Sequence, residues 1–203
     1  MRYRAVGFDL LTALLDTWSL WAEVAGERAL GMKWHAKSQE IMRGQPYRPY
    51  EDIVREAATA VEVPREKADE FLRRWGDFAP WPDVTTTLRR LQGVRRFIVT
   101  NCSRTLGRRA AERLGAFDLV MTAEEAGAYK PDPRAYRAAL DKLRLNARDA
   151  LFVAGSAHDV GGASRVGMDV YWANRGDVPL PPDAKPLRSE RGLSGLVALV
   201  EGR

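Results

Sequence analysis

Cysteine is nearly missing from this chain. Cys102 is the only one in 203 residues, which excludes an intramolecular disulfide framework and fits a reducing compartment, hence a cytoplasmic location. Also missing is any run of the roughly 18–20 apolar residues that a membrane-spanning helix needs. The N-terminus enters a strand pattern directly, without an apolar leader segment, so neither a targeting signal nor a membrane partner is expected. No block of like charge occurs. The 32 Lys and Arg against 27 Asp and Glu give a formal charge of +5. The basic pairs Arg73-Arg74, Arg89-Arg90, Arg95-Arg96 and Arg108-Arg109 are dispersed and interleaved with acids. Nucleic-acid binders concentrate positive charge on one face or in one run. These residues therefore read as solvated helix faces, and no nucleic-acid partner is expected. The small positive excess would instead draw small anions towards a cleft.

A hydrophobic content of 45% is enough for a full core. The first apolar run, about residues 4–9, reads as a strand and is followed by the apolar stretch Leu10 to Leu15. From Thr17 to Phe78 the pattern is helical. Leu20, Trp21, Val24 and Ala25 share a face, with Gly31 as a stop. A second helix is expected from Trp34 to Arg43, ending at Gly44. A third carries Ile53, Val54, Ala57 and Val61, and a fourth opens near Pro64 and carries Phe71, Leu72 and Trp75. After Pro80-Trp81-Pro82 strands and helices alternate, with strands near 96–100, 118–121, 150–154 and 169–172. Such alternation implies an α/β fold with a doubly wound parallel sheet. The four helices interrupting it read as an inserted cap. The expected division is a core domain of 1–16 and 80–203 and a cap domain of 17–79.

Polar residues recur where these strands end. Asp9 closes Ala5-Val6-Gly7-Phe8-Asp9, Thr100-Asn101 follows Phe97-Ile98-Val99, and Asp159 lies just beyond Leu151-Phe152-Val153. Lys130 stands in Tyr129-Lys130-Pro131-Asp132-Pro133. Strand C-termini of a parallel sheet converge on one crevice, so dispersed segments can build one site. A carboxylate nucleophile there needs to be ionised, desolvated and aimed. Lys130 would keep Asp9 ionised, since a nearby opposite charge favours the charged form. Thr100 and Asn101 offer short neutral donors, and Asp159 would anchor Lys130 and help to position water. Tyr136 shares a helical face with Leu140 and Leu143, which suits a core tyrosine as well as a substrate contact. Cys102 suits a small packed thiol better than a partner of His158.

In order and spacing these segments resemble the four motifs of the haloacid dehalogenase superfamily, and within it the L-2-haloacid dehalogenase branch. Asp9 and Asp16 match its first motif, Tyr129 to Tyr136 the third, and Gly167 to Arg175 the strand after the fourth. The resemblance implies a Rossmann-like core with a helical cap. It also implies displacement of halide from C2 of a small haloacid by Asp9, then hydrolysis of the ester to a 2-hydroxy acid. Catalytic roles would fall on Asp9, Lys130, Asp159, Thr100 and Asn101, and substrate contacts on Leu11, His35, Tyr136 and Ser156. Superfamily phosphatases have a second acid where Leu11 stands and a magnesium ligand where Ala154 stands. Both changes disfavour Mg²⁺ and point to chemistry at carbon without a metal or cofactor. The dehalogenase pattern itself is altered. Ala13 occupies the small-hydroxyl position with Thr12 one step earlier, His35 falls on the cap arginine, Ser156 on an asparagine and His158 on a tryptophan. If His35 serves the departing halide as a cation, activity should fall as pH rises through its pKa. The expected partner is a small carboxylated or halogenated substrate, and the protein a monomer or homodimer. Two other readings remain open, a phosphatase with an atypical acid and a binding protein without turnover.

Overall fold

The computed structural model describes residues 2–43, 46–182 and 184–202. Strand β1 (Ala5–Phe8) is buried at every position, as expected of a strand covered on both faces. It pairs in parallel with β4 (Arg95–Thr100) on one side and β6 (Ala150–Ala154) on the other, with Phe8 level with Ile98 and Val153. Beyond β4 lies β5 (Leu119–Thr122); beyond β6 lie β7 (Asp169–Ala173) and β8 (Arg188–Glu190). The order is β5-β4-β1-β6-β7-β8, parallel throughout. Helices α5 (Val84–Arg90), α6 (Arg104–Glu112), α8 (Pro133–Leu143) and α9 (Ala157–Arg165) supply the crossovers, and α10 (Leu196–Glu201) closes the chain. The strand order reverses at β1, so the crevice of this doubly wound α/β fold opens at the C-terminal end of β1. Successive strand residues face opposite sides. Ile98 and Val153 feed one hydrophobic cluster, whereas Phe97, Val99 and Phe152 feed the other.

Four helices stand between β1 and α5: α1 (Thr17–Ala25), α2 (Arg28–Met42), α3 (Tyr50–Ala60) and α4 (Arg65–Arg73). Their interior is aromatic. Trp21 meets Trp34 edge-on at 4.7 Å and lies 4.0 Å from Phe71, and Trp75 meets Phe78 at 5.0 Å. These rings belong to the same cluster as Phe8, Ile98 and Val153, so helices and sheet share one apolar interior. The chain enters and leaves the helical segment through a two-stranded antiparallel ladder. In it β2 (Leu15–Asp16) pairs with β3 (Ala79–Pro80). Among the described residues no helix is long and apolar enough to cross a membrane.

Several expected boundaries shift. Gly31 does not stop α1; Gly26, at φ +87°, does, and Gly31 lies inside α2. The second helix begins at Arg28 rather than Trp34. Gly44, expected to end it, lies outside the described residues. The apolar stretch after Asp9 forms a wide π-helical turn, Leu10–Leu14. Strand β8 and the one-turn helix α7 (Ala123–Ala126) carry too few apolar residues to show a period.

Gly31 offers a test in which propensity and packing disagree. Alanine favours a helix interior over glycine by about 1 kcal/mol. Here its Cβ would stand 2.5 Å from the Trp21 carbonyl oxygen and 2.7 Å from Ala22 Cα. Separating α1 from α2 should cost about 1–3 kcal/mol. Gly31→Ala is therefore expected to lower the melting temperature in calorimetry by roughly 2–12 °C, and a rise would contradict the packing.

Candidate active site

Asp9 is built into the π-helical turn as its N-terminal cap. One carboxylate oxygen, Oδ2, accepts from the backbone N–H of Thr12 (2.9 Å) and Ala13 (3.1 Å) and from the Thr12 hydroxyl (2.6 Å). These are groups that a helix start leaves without internal partners. The far end of the turn is fixed from outside. Arg175 donates to the Ala13 carbonyl at 3.0 Å while forking onto Asp83 at 2.8 and 2.9 Å. The Trp81 indole donates to the Thr12 carbonyl at 3.0 Å. Gly155, just past β6, lies against the same oxygens. A Cβ there would overlap Thr12 Oγ1 and Asp9 Oδ2, so no larger residue fits.

The other oxygen, Oδ1, accepts from Lys130 Nζ at 2.7 Å, and the same ammonium donates to Asp159 Oδ2 at 3.2 Å. Lys130 is set in place by its backbone. Asn101 donates to the Lys130 carbonyl at 3.0 Å and accepts its N–H at 2.7 Å, as a neighbouring strand would. Asp159 sits in the first turn of α9. Its N–H meets the Ser156 side chain at 3.2 Å, and its Oδ1 accepts from the Tyr136 hydroxyl at 2.9 Å. All three charged groups are at most 6% exposed. Burial alone would raise Asp9, but the charge and hydrogen bond of Lys130, with help from Thr12 and Ala13, hold it below the usual carboxylate range. Burial and the Asp9 charge, opposed by Lys130, leave Asp159 raised. Burial would lower Lys130, but the two carboxylates outweigh it and the lysine stays charged.

A cavity of about 300 Å³ opens over this triad. Of the predicted residues, Asp9, Leu11, His35, Asn101, Lys130, Ser156 and Asp159 line it. Thr100 and Tyr136 do not. Thr100 is buried beside Cys102, with Oγ1 3.7 Å from Sγ, and Tyr136 lies beneath Asp159 with its ring on Phe152. Asn101 reaches the cavity with both ends of its amide already committed to Lys130. Burial lowers His35 to about 4, against a small opposing effect of Asp9. Its charged form is thus absent near neutrality, and a pH-linked loss of a histidine cation belongs in acid. Burial also pushes the Cys102 thiol up to about 12, which leaves it inert. Thr12 lines the cavity too, and so, outside the expected set, do Gln39, Arg43 and Tyr50. Thr12 carries the hydroxyl expected one position later, because the wide turn brings its side chain onto Asp9. Tyr50 is buried, and its hydroxyl has no hydrogen-bond partner among the described residues.

Magnesium does not fit this donor set. The two carboxylates already flank an ammonium, and the Leu11 carbonyl accepts from the Thr17 hydroxyl at 2.8 Å. Ala154 offers no side-chain oxygen, and no group of three potential ligands occurs among the described residues. A hard cation that demands near-octahedral oxygens would find too few.

A family model for haloacid dehalogenase-like hydrolases matches residues 7–167. The chain belongs to that family. It is 28% identical to (S)-2-haloacid dehalogenase 4A of Burkholderia cepacia over 92% of this chain and 90% of the relative. It is 31% identical to a phosphoserine phosphatase of Thermus thermophilus over 82% of this chain and 72% of that one. The crystal structure of a dehalogenase with an intermediate complex superposes with a TM-score of 0.87. That likeness comes at 26% identity and covers 98% of this chain and 97% of the other. This haloacid dehalogenase-like hydrolase therefore shares sequence with relatives named for two chemistries, at carbon and at phosphorus.

Removing the cation should invert the contribution of Asp9 to the pH dependence of stability. In the native triad Asp9 is lowered, so its stabilisation is present above the unfolded carboxylate pKa and is lost as pH falls. In Lys130→Met two buried carboxylates face each other, their pKa values rise, and stability is lost as pH rises. The variant should lose about 3–5 kcal/mol near pH 7 and recover part of it near pH 4.5. Urea unfolding at the two pH values checks this, and an equal loss at both would contradict it.

Proposed function

We propose that this hydrolase displaces halide from C2 of a small 2-haloacid through an ester on Asp9 and releases a 2-hydroxy acid. The observation that carries the reading is the unequal treatment of the two Asp9 oxygens. Oδ2 accepts from three donors and is walled by Gly155, whereas among the described residues Oδ1 meets only the Lys130 ammonium. Oδ1 is therefore the nucleophile. It bonds to C2 while the carbon–halogen pair leaves with the halide. The Tyr50 hydroxyl is a donor available to the departing anion.

The three donors on Oδ2 then acquire a second purpose. Once Oδ1 is esterified, Oδ2 is the ester carbonyl oxygen. Water adds to Cγ and negative charge develops on Oδ2, where the Thr12 and Ala13 N–H groups and the Thr12 hydroxyl already point. Such a fixed donor set is an oxyanion hole, and one donor is worth roughly 10²–10³ in rate. Asp159, with its raised pKa, takes a proton from the water and returns it to the departing alkoxide. The Cγ–Oδ1 bond breaks, and haloacid plus water become hydroxy acid, halide and a proton. Residues 17–79 serve as a cap over a core formed by 1–16 and 80–203, and keep bulk water away from the displacement.

Chloride release from 2-chloropropionate is the direct assay, and silence with a panel of haloacids would overturn the reading. A single turnover in H₂¹⁸O should leave the heavy oxygen in the Asp9 peptide rather than in the product. Thr12→Val should slow ester hydrolysis by about 10²-fold and let the Asp9 adduct accumulate in intact-protein mass spectra. The phosphatase relative supports a second reading. Release of phosphate from p-nitrophenyl phosphate in Mg²⁺, abolished by Asp9→Asn, would establish it.

A further inference from the structure

Helix α2 turns one stripe of residues to the cavity: His35, Gln39 and, at its C-terminal cap, Arg43. At a rise of about 1.5 Å per residue, Arg43 stands roughly 12 Å along the axis from His35. Its guanidinium reaches across to the start of α9 and meets His158 Nε2 at 3.0 Å. No carboxylate pairs with it among the described residues. For Nε2 to accept, the imidazole must be neutral. Desolvation, followed by the charge of Arg43, holds His158 below its ordinary pKa.

Arg43 also lines a second cavity of about 670 Å³, which shares Lys130 and Pro131 with the first. In that groove the Asp132 carboxylate is already paired with Arg134 at 2.9 Å. Among the described residues Arg165, in contrast, donates only to the Pro131 carbonyl, at 3.2 Å. Two arginines with neutral partners thus line the second cavity, and one of them, Arg43, lines the first as well. The triad beneath carries two carboxylates and one ammonium, so it offers no net attraction to an anion. The first cavity alone has the space of about ten waters, more than the six non-hydrogen atoms of 2-chloropropionate require.

We propose that Arg43, with Arg165 behind it, is a specificity site for a second carboxylate on the substrate, remote from the carbon that Asp9 attacks, so that the preferred substrates are 2-halo dicarboxylic acids. The proposal rests on the dehalogenase reading for its reacting end. The incoming carboxylate replaces His158 as the partner of Arg43 and exchanges a neutral acceptor for a charged one. Charge-assisted hydrogen bonds of this kind are roughly twice as strong as neutral ones.

The test compares a diacid with a monoacid of related chain. Chloride release is measured with 2-chloroglutarate and 2-chlorobutyrate. Binding of unreactive glutarate and butyrate is followed by calorimetry, which needs no turnover. The diacid should be favoured at least about tenfold in both measurements. In Arg43→Gln the diacid-to-monoacid ratio should fall to about one, and Arg43→Lys should restore part of it. Arg43 is exposed, so both variants are expected to keep the wild-type melting temperature within about 2 °C. A wild-type ratio near one, or a ratio unchanged in Arg43→Gln, overturns the subsite even if chloride is released. Arg43-dependent preference for glutarate without chloride release upholds the subsite and removes the dehalogenase reading. Absence of both binding and release removes both.

Discussion

One ammonium group holds this site together. Lys130 Nζ lies between Asp9 and Asp159 at 2.7 and 3.2 Å, in a place almost closed to solvent. Two carboxylates buried side by side could not both remain ionised without it. The cost of burying three charges is offset by the donors around them: the Thr12 and Ala13 N–H groups, the Thr12 hydroxyl, and the Tyr136 phenol. Most of the surrounding architecture can be understood as support for this arrangement. The end of β1 supplies Asp9, Asn101 splints the Lys130 backbone after β4, and α9 delivers Asp159 beside the end of β6. The triad also explains why a metal is superfluous in position, since the lysine already occupies the place between the acids.

The same arrangement divides labour within a single carboxylate. A carboxylate in water has two equivalent oxygens. Here the turn and Gly155 make them different, one enclosed by donors and one left to the ammonium. The asymmetry comes from backbone geometry more than from any side chain, because two of the three donors to Oδ2 are amides of a π-helical turn. That turn is in turn pinned by Arg175 and Trp81 from distant parts of the chain.

How legible all this was in the sequence depends on what sets each feature. The parallel sheet, the four inserted helices and the gathering of Asp9, Asn101, Lys130 and Asp159 follow from apolar runs with polar ends, and these could be read directly. Thr12 is legible as a hydroxyl displaced by one position, but its approach to Asp9 is not, because that depends on an extra-wide turn. Gly31 departs from expectation for a related reason. A glycine marks a stop only where a positive φ is needed, and that demand falls on Gly26, whereas Gly31 answers to the neighbouring Trp21 backbone. Thr100 and Tyr136, expected to act on the substrate, lie behind the cavity instead, since the strand end and helix face that carry them are packed into the interior. Arg43 and Tyr50 give no local signal at all. Their position over the cavity is decided by how α2 and α3 pack, which no short window of residues records.

The short ladder between Leu15–Asp16 and Ala79–Pro80 has a wider meaning. It brings both ends of the excursion over residues 17–78 within one pair of hydrogen-bonded strands, so the main chain of the core is joined to the helices at a single place. A lineage could lengthen, trim or replace that excursion while leaving the reacting carboxylate and its lysine untouched. New substrates would then be acquired by exchanging the roof and keeping the hearth.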